Sequence, residues 1–271
     1  MFDVFYTGVK PNLFAHDQAV DTIEQAGFSA STYRQLLEPL GPDLRVVAFD
    51  LRGHGHTSLP THPKRLVNWY QYADDVIHAL TQLGDGKPST RLIAGHSLGG
   101  TVALLAQARH PSLAKGLLMI DPAMILPRLR RWLMMPFGPR LLQRRLPIAR
   151  GAARRRASFP NLHEVLASYS KRDAFRSWLP GFLDDYINDA FAQRADGSVT
   201  LRCDPAWESA SFCAHRHDLA HALKQLRAPA RMMVAERQST SARILPFLND
   251  WAPPVHVEQV VGSTHFLPME Q

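Results

Sequence analysis

Apolar residues occur along this chain in two rhythms that take turns. Short, nearly unbroken apolar runs cover Arg45 to Asp50, Arg91 to His96, Gly116 to Pro122 and Ala230 to Ala235. A strand with one wet face would alternate polar and apolar residues, so these runs predict strands buried on both faces, as in a parallel sheet. Between them, apolar positions recur at helical spacing. Tyr70, Ala73, Val76, Ile77, Leu80 and Leu83 share one face of a helix predicted over Val67 to Leu83, with Gly84 as its C-cap. A helix after Ser97 runs to about Arg109, before Pro111, and another spans Ala242 to Leu248. A shorter one through Tyr33 to Glu38 takes its cap from Ser29 or Ser31 and stops at Pro39 and Gly41. Phe2 to Thr7 reads as an edge strand, Asn12 to His16 as a short buried strand, and Val255 to Val260 as the last strand. Strand and helix alternating in this way predict an α/β fold, a mostly parallel sheet flanked by helices.

Composition sharpens this picture in two places. The chain has 271 residues, enough for one large domain with an insertion, and none of its apolar runs approaches the length of a membrane helix. Cys203 and Cys213 are the only cysteines, and the N-terminus lacks the order of a signal peptide, so a reduced, cytoplasmic protein is expected. The net charge of +7 belongs to one segment. Ile125 to Ala157 holds ten arginines and no acid, which leaves the remainder of the chain at −3.

The chemistry centres on Gly95-His96-Ser97-Leu98-Gly99-Gly100. A predicted strand ends there and a helix begins at once, so Ser97 stands at a sharp turn with glycines, Gly95 and Gly99, two positions away on either side. Such a turn exposes the serine hydroxyl and aims the first N–H groups of the helix at any negative charge formed beside it. Together with Phe49-Asp50-Leu51-Arg52-Gly53-His54-Gly55 and Gly262-Ser263-Thr264-His265-Phe266, this block resembles the α/β-hydrolase superfamily over nearly the whole chain. The likeness is to small bacterial esterase-like members with a helical cap. It implies Ser97 as nucleophile and His265, in the loop after the last strand, as its base. The acid that orients His265 is expected at Asp121, closing a strand 24 residues after Ser97; Glu236 is the alternative, because Gln238 stands where the aspartate usually does. The oxyanion hole is expected from the backbone N–H of Leu98 and one donor from Gln18 or Phe28.

Two departures from the family pattern bear on these expectations. Asp17 to Gln25 looks like an insertion that interrupts the oxyanion loop. The helix that usually follows the histidine loop is missing before Gln271, which predicts a mobile His265 loop.

The resemblance divides the chain into a core of 1–122 and 214–271 and a helical cap of 123–213, where alternation gives way to short helices broken by prolines. Trp132, Met134, Met135, Phe137, Trp178 and Phe182 are expected either to line an acyl pocket or to form the cap's own core. His54 with His56, and His215 with His217 and His221, lack the convergent ligand set of a metal site and read as loop and surface histidines, so no metal or cofactor is implied. The resulting expectation is a serine carboxylesterase acting on small to medium-chain esters. The rivals are a C–C hydrolase or perhydrolase with the same triad, an inert binding protein on this fold, and a nucleic-acid or anionic-membrane binder using the arginines. No nucleic-acid motif is present, and the arginine-rich segment is expected to make at most a weak contact with an anionic membrane surface. Nothing in the sequence sets the oligomeric state.

Overall fold

The computed structural model describes residues 4–7, 19–23, 27–42, 44–83, 91–135, 137–251 and 255–271. In chain order the first half contains β1 (Val4–Thr7), β2 (Ala19–Ile23), α1 (Arg34–Leu37), β3 (Arg45–Phe49), α2 (Tyr70–Gln82), β4 (Arg91–His96), α3 (Leu98–Arg109) and β5 (Gly116–Ile120). A long excursion follows: α4 (Pro127–Leu133), α5 (Gly138–Arg145), α6 (Pro147–Ala153), β6 (Ser158–Phe159), α7 (Leu162–Tyr169), α8 (Phe182–Ala190), β7 (Phe191–Gln193), β8 (Val199–Leu201), α9 (Pro205–Ser211) and α10 (Leu219–Gln225). The chain then returns through β9 (Ala230–Ala235), α11 (Leu245–Trp251), β10 (Val255–Val260) and α12 (Leu267–Glu270).

Seven strands form one sheet in the order β1-β3-β2-β4-β5-β9-β10. Only β1, at one edge, is antiparallel to its neighbour; the other pairings are parallel. The strand ends that carry chemistry therefore point the same way, and loops after β4, β5, β9 and β10 meet along one edge, as expected for ligand sites of open parallel sheets.

One finding corrects the sequence reading. The stretch taken for an insertion, Asp17 to Gln25, contains a central strand: Ala19–Ile23 pairs with β3 on one side and β4 on the other. Its β-branched Val20, Thr22 and Ile23 suit a strand, and the polar Asp21 hid them from a search for unbroken apolar runs. The earlier stretch read as this strand, Asn12 to His16, lies outside the described residues. Phe28 thus stands five residues after the end of a sheet strand.

The core has two parts, divided by the pleat. Val47 and Phe49 of β3 join Ile93, Met119, Met232 and the helices α2, α3 and α10 on one side. Their alternates Val46 and Ala48 face a second cluster with Phe28, Tyr33 and Leu37. Phe159, Tyr169, Trp178, Phe182 and Tyr186 from the excursion complete that cluster, with Met269 of α12. Residues 123–213, expected as helices alone, also carry a small antiparallel sheet in the order β6-β8-β7. Among the described residues no helix is long and apolar enough to cross a membrane.

Candidate active site

The turn between β4 and α3 is as tight as its glycines predict. Ser97 has φ 54° and ψ −116°, a backbone conformation rare for a residue with a side chain. A Cβ on Gly95 would lie 2.4 Å from the carbonyl oxygen of Gly99, so only glycine lets strand and helix approach so closely. The turn is tied to its neighbours: Ser97 N–H donates to Ile120 O at 2.9 Å, and Ala123 N–H to Ser97 O at 3.0 Å.

Three side chains from three strand ends meet at this turn. Ser97 Oγ lies 3.0 Å from His265 Nε2, and His265 Nδ1 lies 2.6 Å from Asp121 Oδ2. With Nδ1–H donating to the carboxylate, Nε2 is left to accept the serine proton. Asp121 is fully buried and its backbone also has positive φ, at 38°. Burial alone would raise its pKa. The hydrogen bond and charge of His265, with donors from Ser239 and Thr240, outweigh burial and bring it down to about 2. The carboxylate is therefore ionised across the range in which an enzyme would work.

The alternative acid stands elsewhere. Glu236 accepts the N–H of Gly262 at 2.8 Å, bracing the histidine loop. The turn after β9 contributes donors to Asp121 instead: Ser239 Oγ at 2.5 Å, Ser241 Oγ at 3.1 Å and Thr240 N–H at 3.0 Å. Gln238, at the family's usual acid position, has φ 56° within this turn. The run Ser239-Thr240-Ser241 was the available sequence signal, because hydroxyls clustered after a strand can satisfy a buried carboxylate.

His96, unremarked in the sequence beyond its place beside Ser97, braces His265. Its Nε2 is 2.7 Å from the carbonyl oxygen of His265, which can only accept, so that nitrogen carries the proton. Its Nδ1 then accepts from Tyr33 Oη at 2.8 Å. Burial, and secondarily the charge of His265, lowers the His96 pKa to about 3 and keeps the ring neutral.

The His265 loop, expected to be mobile, makes hydrogen bonds to its surroundings. Thr264 donates both its N–H and its hydroxyl to Glu270 of α12, at 2.6 and 2.7 Å. Arg237 N–H donates to Ser263 O, and Leu179 N–H to Met269 O. The single turn of α12 thus fastens the loop to itself and to the excursion.

Of the expected oxyanion donors, Gln18 lies outside the described residues; its neighbour Ala19 pairs with Arg91, at the opposite end of β4 from Ser97. Leu98 opens α3, and Phe28 lies in the loop after β2. Both residues are buried, and among the described residues neither backbone N–H donates a hydrogen bond. The Phe28 loop is anchored by the buried Asp50, which accepts Ala30 N–H and His56 N–H, both at 2.8 Å. Phe28 packs beside Trp178 and Phe266, with ring centroids 5.6 and 6.2 Å away, so an aromatic wall adjoins His265.

Other sequence expectations fare less well. Trp132, Met134, Met135 and Phe137 are exposed, so they form neither a pocket nor a core; only Trp178 and Phe182 are buried. His215 and His217, expected at the surface, are buried against Trp69, their ring centroids 4.6 and 4.7 Å from it and 5.7 Å from each other. Their polar sequence neighbours concealed an aromatic stack. His54 is likewise buried, and His56 is bonded to Asp189. Arg155 is internal, giving two hydrogen bonds to Glu208 and one to Tyr169. Among the described residues no group of three His, Cys, Asp or Glu side chains converges to hold a metal ion.

Comparison with known proteins adds the following. A family described as the alpha/beta hydrolase family matches residues 13–271. A 2-(acetamidomethylene)succinate hydrolase of Mesorhizobium japonicum is 29% identical over 93 residues, 34% of this chain and 31% of that protein. The monoglyceride lipase of Homo sapiens is 30% identical over 104 residues, 37% of this chain and 33% of the lipase. The chain thus spans about a third of the length of these relatives. The solved structure of an E-2-(acetamidomethylene)succinate hydrolase superposes with a TM-score of 0.78 at 19% identity, covering 100% of this chain and 90% of that one; at that identity the likeness is one of fold.

Proposed function

This chain belongs to the α/β-hydrolase family, and from that premise we propose that it is a serine carboxylesterase cleaving small to medium-chain carboxylic esters. The observation that carries the reading is the unbroken hydrogen-bond chain from Ser97 Oγ through His265 to Asp121. In the proposed reaction Ser97 Oγ attacks the acyl carbon while His265 Nε2 takes its proton. Asp121 holds the imidazole in the required tautomer and stabilises the imidazolium. The N–H groups of Leu98 and Phe28 receive the negative oxygen of the tetrahedral intermediate. As that intermediate collapses, the ester C–O bond breaks and the proton on His265 passes to the departing alcohol. Water, deprotonated by the same imidazole, then cleaves the acyl-enzyme and restores the serine.

The aromatic wall of Phe28, Trp178 and Phe266 supports an apolar acyl group, and residues 123–213, which supply Trp178, would act as the cap. The name of the human relative, a monoglyceride lipase, is in keeping with an ester substrate. A fluorophosphonate probe tests the reading directly. Stoichiometric labelling at Ser97, hydrolysis of p-nitrophenyl esters, and a loss of roughly 10⁵-fold or more in Ser97→Ala are expected. Folded protein that neither labels nor turns over esters would be a binding protein on this fold. Labelling without ester turnover would point to another acyl or C–C bond as the substrate.

A further inference from the structure

Ten large apolar side chains stand exposed among the described residues, and five of them fall between residues 132 and 148: Trp132, Met134, Met135, Phe137 and Ile148. Scattered apolar residues need no explanation, but this is a concentration. Phe137 is the most exposed of these five, at 72%. These residues sit at the end of α4, in the α4–α5 turn and at the start of α6, and α5 packs against both of the other helices.

The turn is held in place from below. Arg216 donates from Nε to Leu133 O and from Nη2 to Met135 O, both at 2.9 Å. Arg130 donates to His217 O and pairs with Asp218. Leu133, Ala149 and Ala152 are buried, and Gln143 reaches Ser209 Oγ. The backbone is thus fixed while its largest apolar side chains remain in solvent.

Charge identifies the partner. Arg131, Arg144, Arg145, Arg150 and Arg154 are exposed on the same three helices and their ends, and among the described residues none makes an ion pair. No acid occurs from Ile125 to Ala157. Exposed apolar side chains together with exposed arginines on the same three helices match the two layers of an anionic lipid surface, in which acyl chains lie beneath phosphates. We propose that the α4–α6 face docks on anionic membranes, with Met134, Met135 and Phe137 entering the interface and the arginines meeting lipid phosphates. A nucleic acid would use the arginines but leave the methionines and phenylalanine unoccupied. The proposal is independent of the chemistry at Ser97.

Co-sedimentation with vesicles tests it, using phosphatidylcholine alone against an equimolar mixture with phosphatidylglycerol. Binding is expected only to the anionic vesicles and should weaken as salt rises. Replacing Arg144, Arg145 and Arg150 by Gln should weaken it about a hundredfold, and Phe137→Ser roughly tenfold or more. Trp132 is the most exposed of the tryptophans whose burial is described, so a blue shift of fluorescence on binding should vanish in Trp132→Phe. All these positions are exposed, and circular dichroism would verify that each variant folds. No binding to the anionic vesicles overturns the proposal. So does binding that matches that to duplex DNA and ignores Phe137→Ser, which would assign the face to polyanions in general.

Discussion

Asp121 is the residue that orients the base in the proposed chemistry. Its two oxygens receive His265, Ser239, Thr240 and Ser241, while Glu236 is engaged with Gly262. Asp121→Asn keeps the size but can turn an amide N–H toward His265 Nδ1, forcing the other tautomer. We expect kcat to fall about 10⁴-fold, as in serine triads generally. Glu236→Gln can still accept from Gly262 and should stay within a few-fold of the parent. Steady-state kinetics on one p-nitrophenyl ester decides the matter, and a large loss in Glu236→Gln with a mild one in Asp121→Asn would reverse the assignment. Chain position favours Asp121 in the sequence but leaves Glu236 open as the alternative. Choosing between them required knowing that β5 and β9 are adjacent, which brings the Ser239–Ser241 turn over Asp121.

Between elements, the buried pair of Arg155 and Glu208 fastens the chain just after α6 to α9. Gly27 lies against it: a Cβ there would sit 2.5 Å from Glu208 Oε1, in a backbone already at φ 84°. Removing one partner leaves a charge without compensation in a site where both side chains are about one-tenth exposed. Glu208→Gln should therefore cost about 3–5 kcal/mol in urea unfolding. Pairing Arg155→Met with Glu208→Leu should recover much of that loss, and a Glu208→Gln variant as stable as the parent would refute the account. At this scale the sequence was partly legible. The strands β3, β4, β5 and β9 were plain because burial on both faces leaves unbroken apolar runs. The strand β2 was not, since Asp21 breaks its run. The Arg155–Glu208 contact was hidden as well, because the arginine sits in a basic run that reads as solvated, 53 residues from its partner.

Across the whole molecule, buried histidines make stability sensitive to mild acid. Burial lowers His54 and His215 to a pKa of about 4 and His96 to about 3, and it carries His217 well below its ordinary value. The unfolded chain takes up protons at these sites near pH 6.5, whereas the folded protein takes none until about pH 4 or lower. Their contribution is thus fully present above pH 6.5 and is lost as pH falls from there to about 4, with His96 extending the loss to about 3. Each such histidine adds up to about 1.4 kcal/mol of destabilisation per pH unit in this window. Asp121 acts lower, between its ordinary 3.8 and about 2. Urea midpoints should decline steeply from pH 7 to 5, and His217→Phe, which keeps the stack on Trp69, should flatten that slope by close to one proton. A flat profile over this range would show that the four rings titrate normally.

The triad's hydrogen bonds join residues 144 and 168 positions apart in the chain. Ser97 and Asp121 are also fixed through backbone bonds to the neighbouring strands, Ser97 N–H to Ile120 O and Asp121 N–H to Met233 O. On the proposed chemistry, a chain emerging from the ribosome carries no reactive serine until β10 has docked and His265 has arrived. Long-range pairing of this kind forms slowly, so copies in which it has not formed stay chemically silent, and reactivity at Ser97 becomes a clock for the docking of β10.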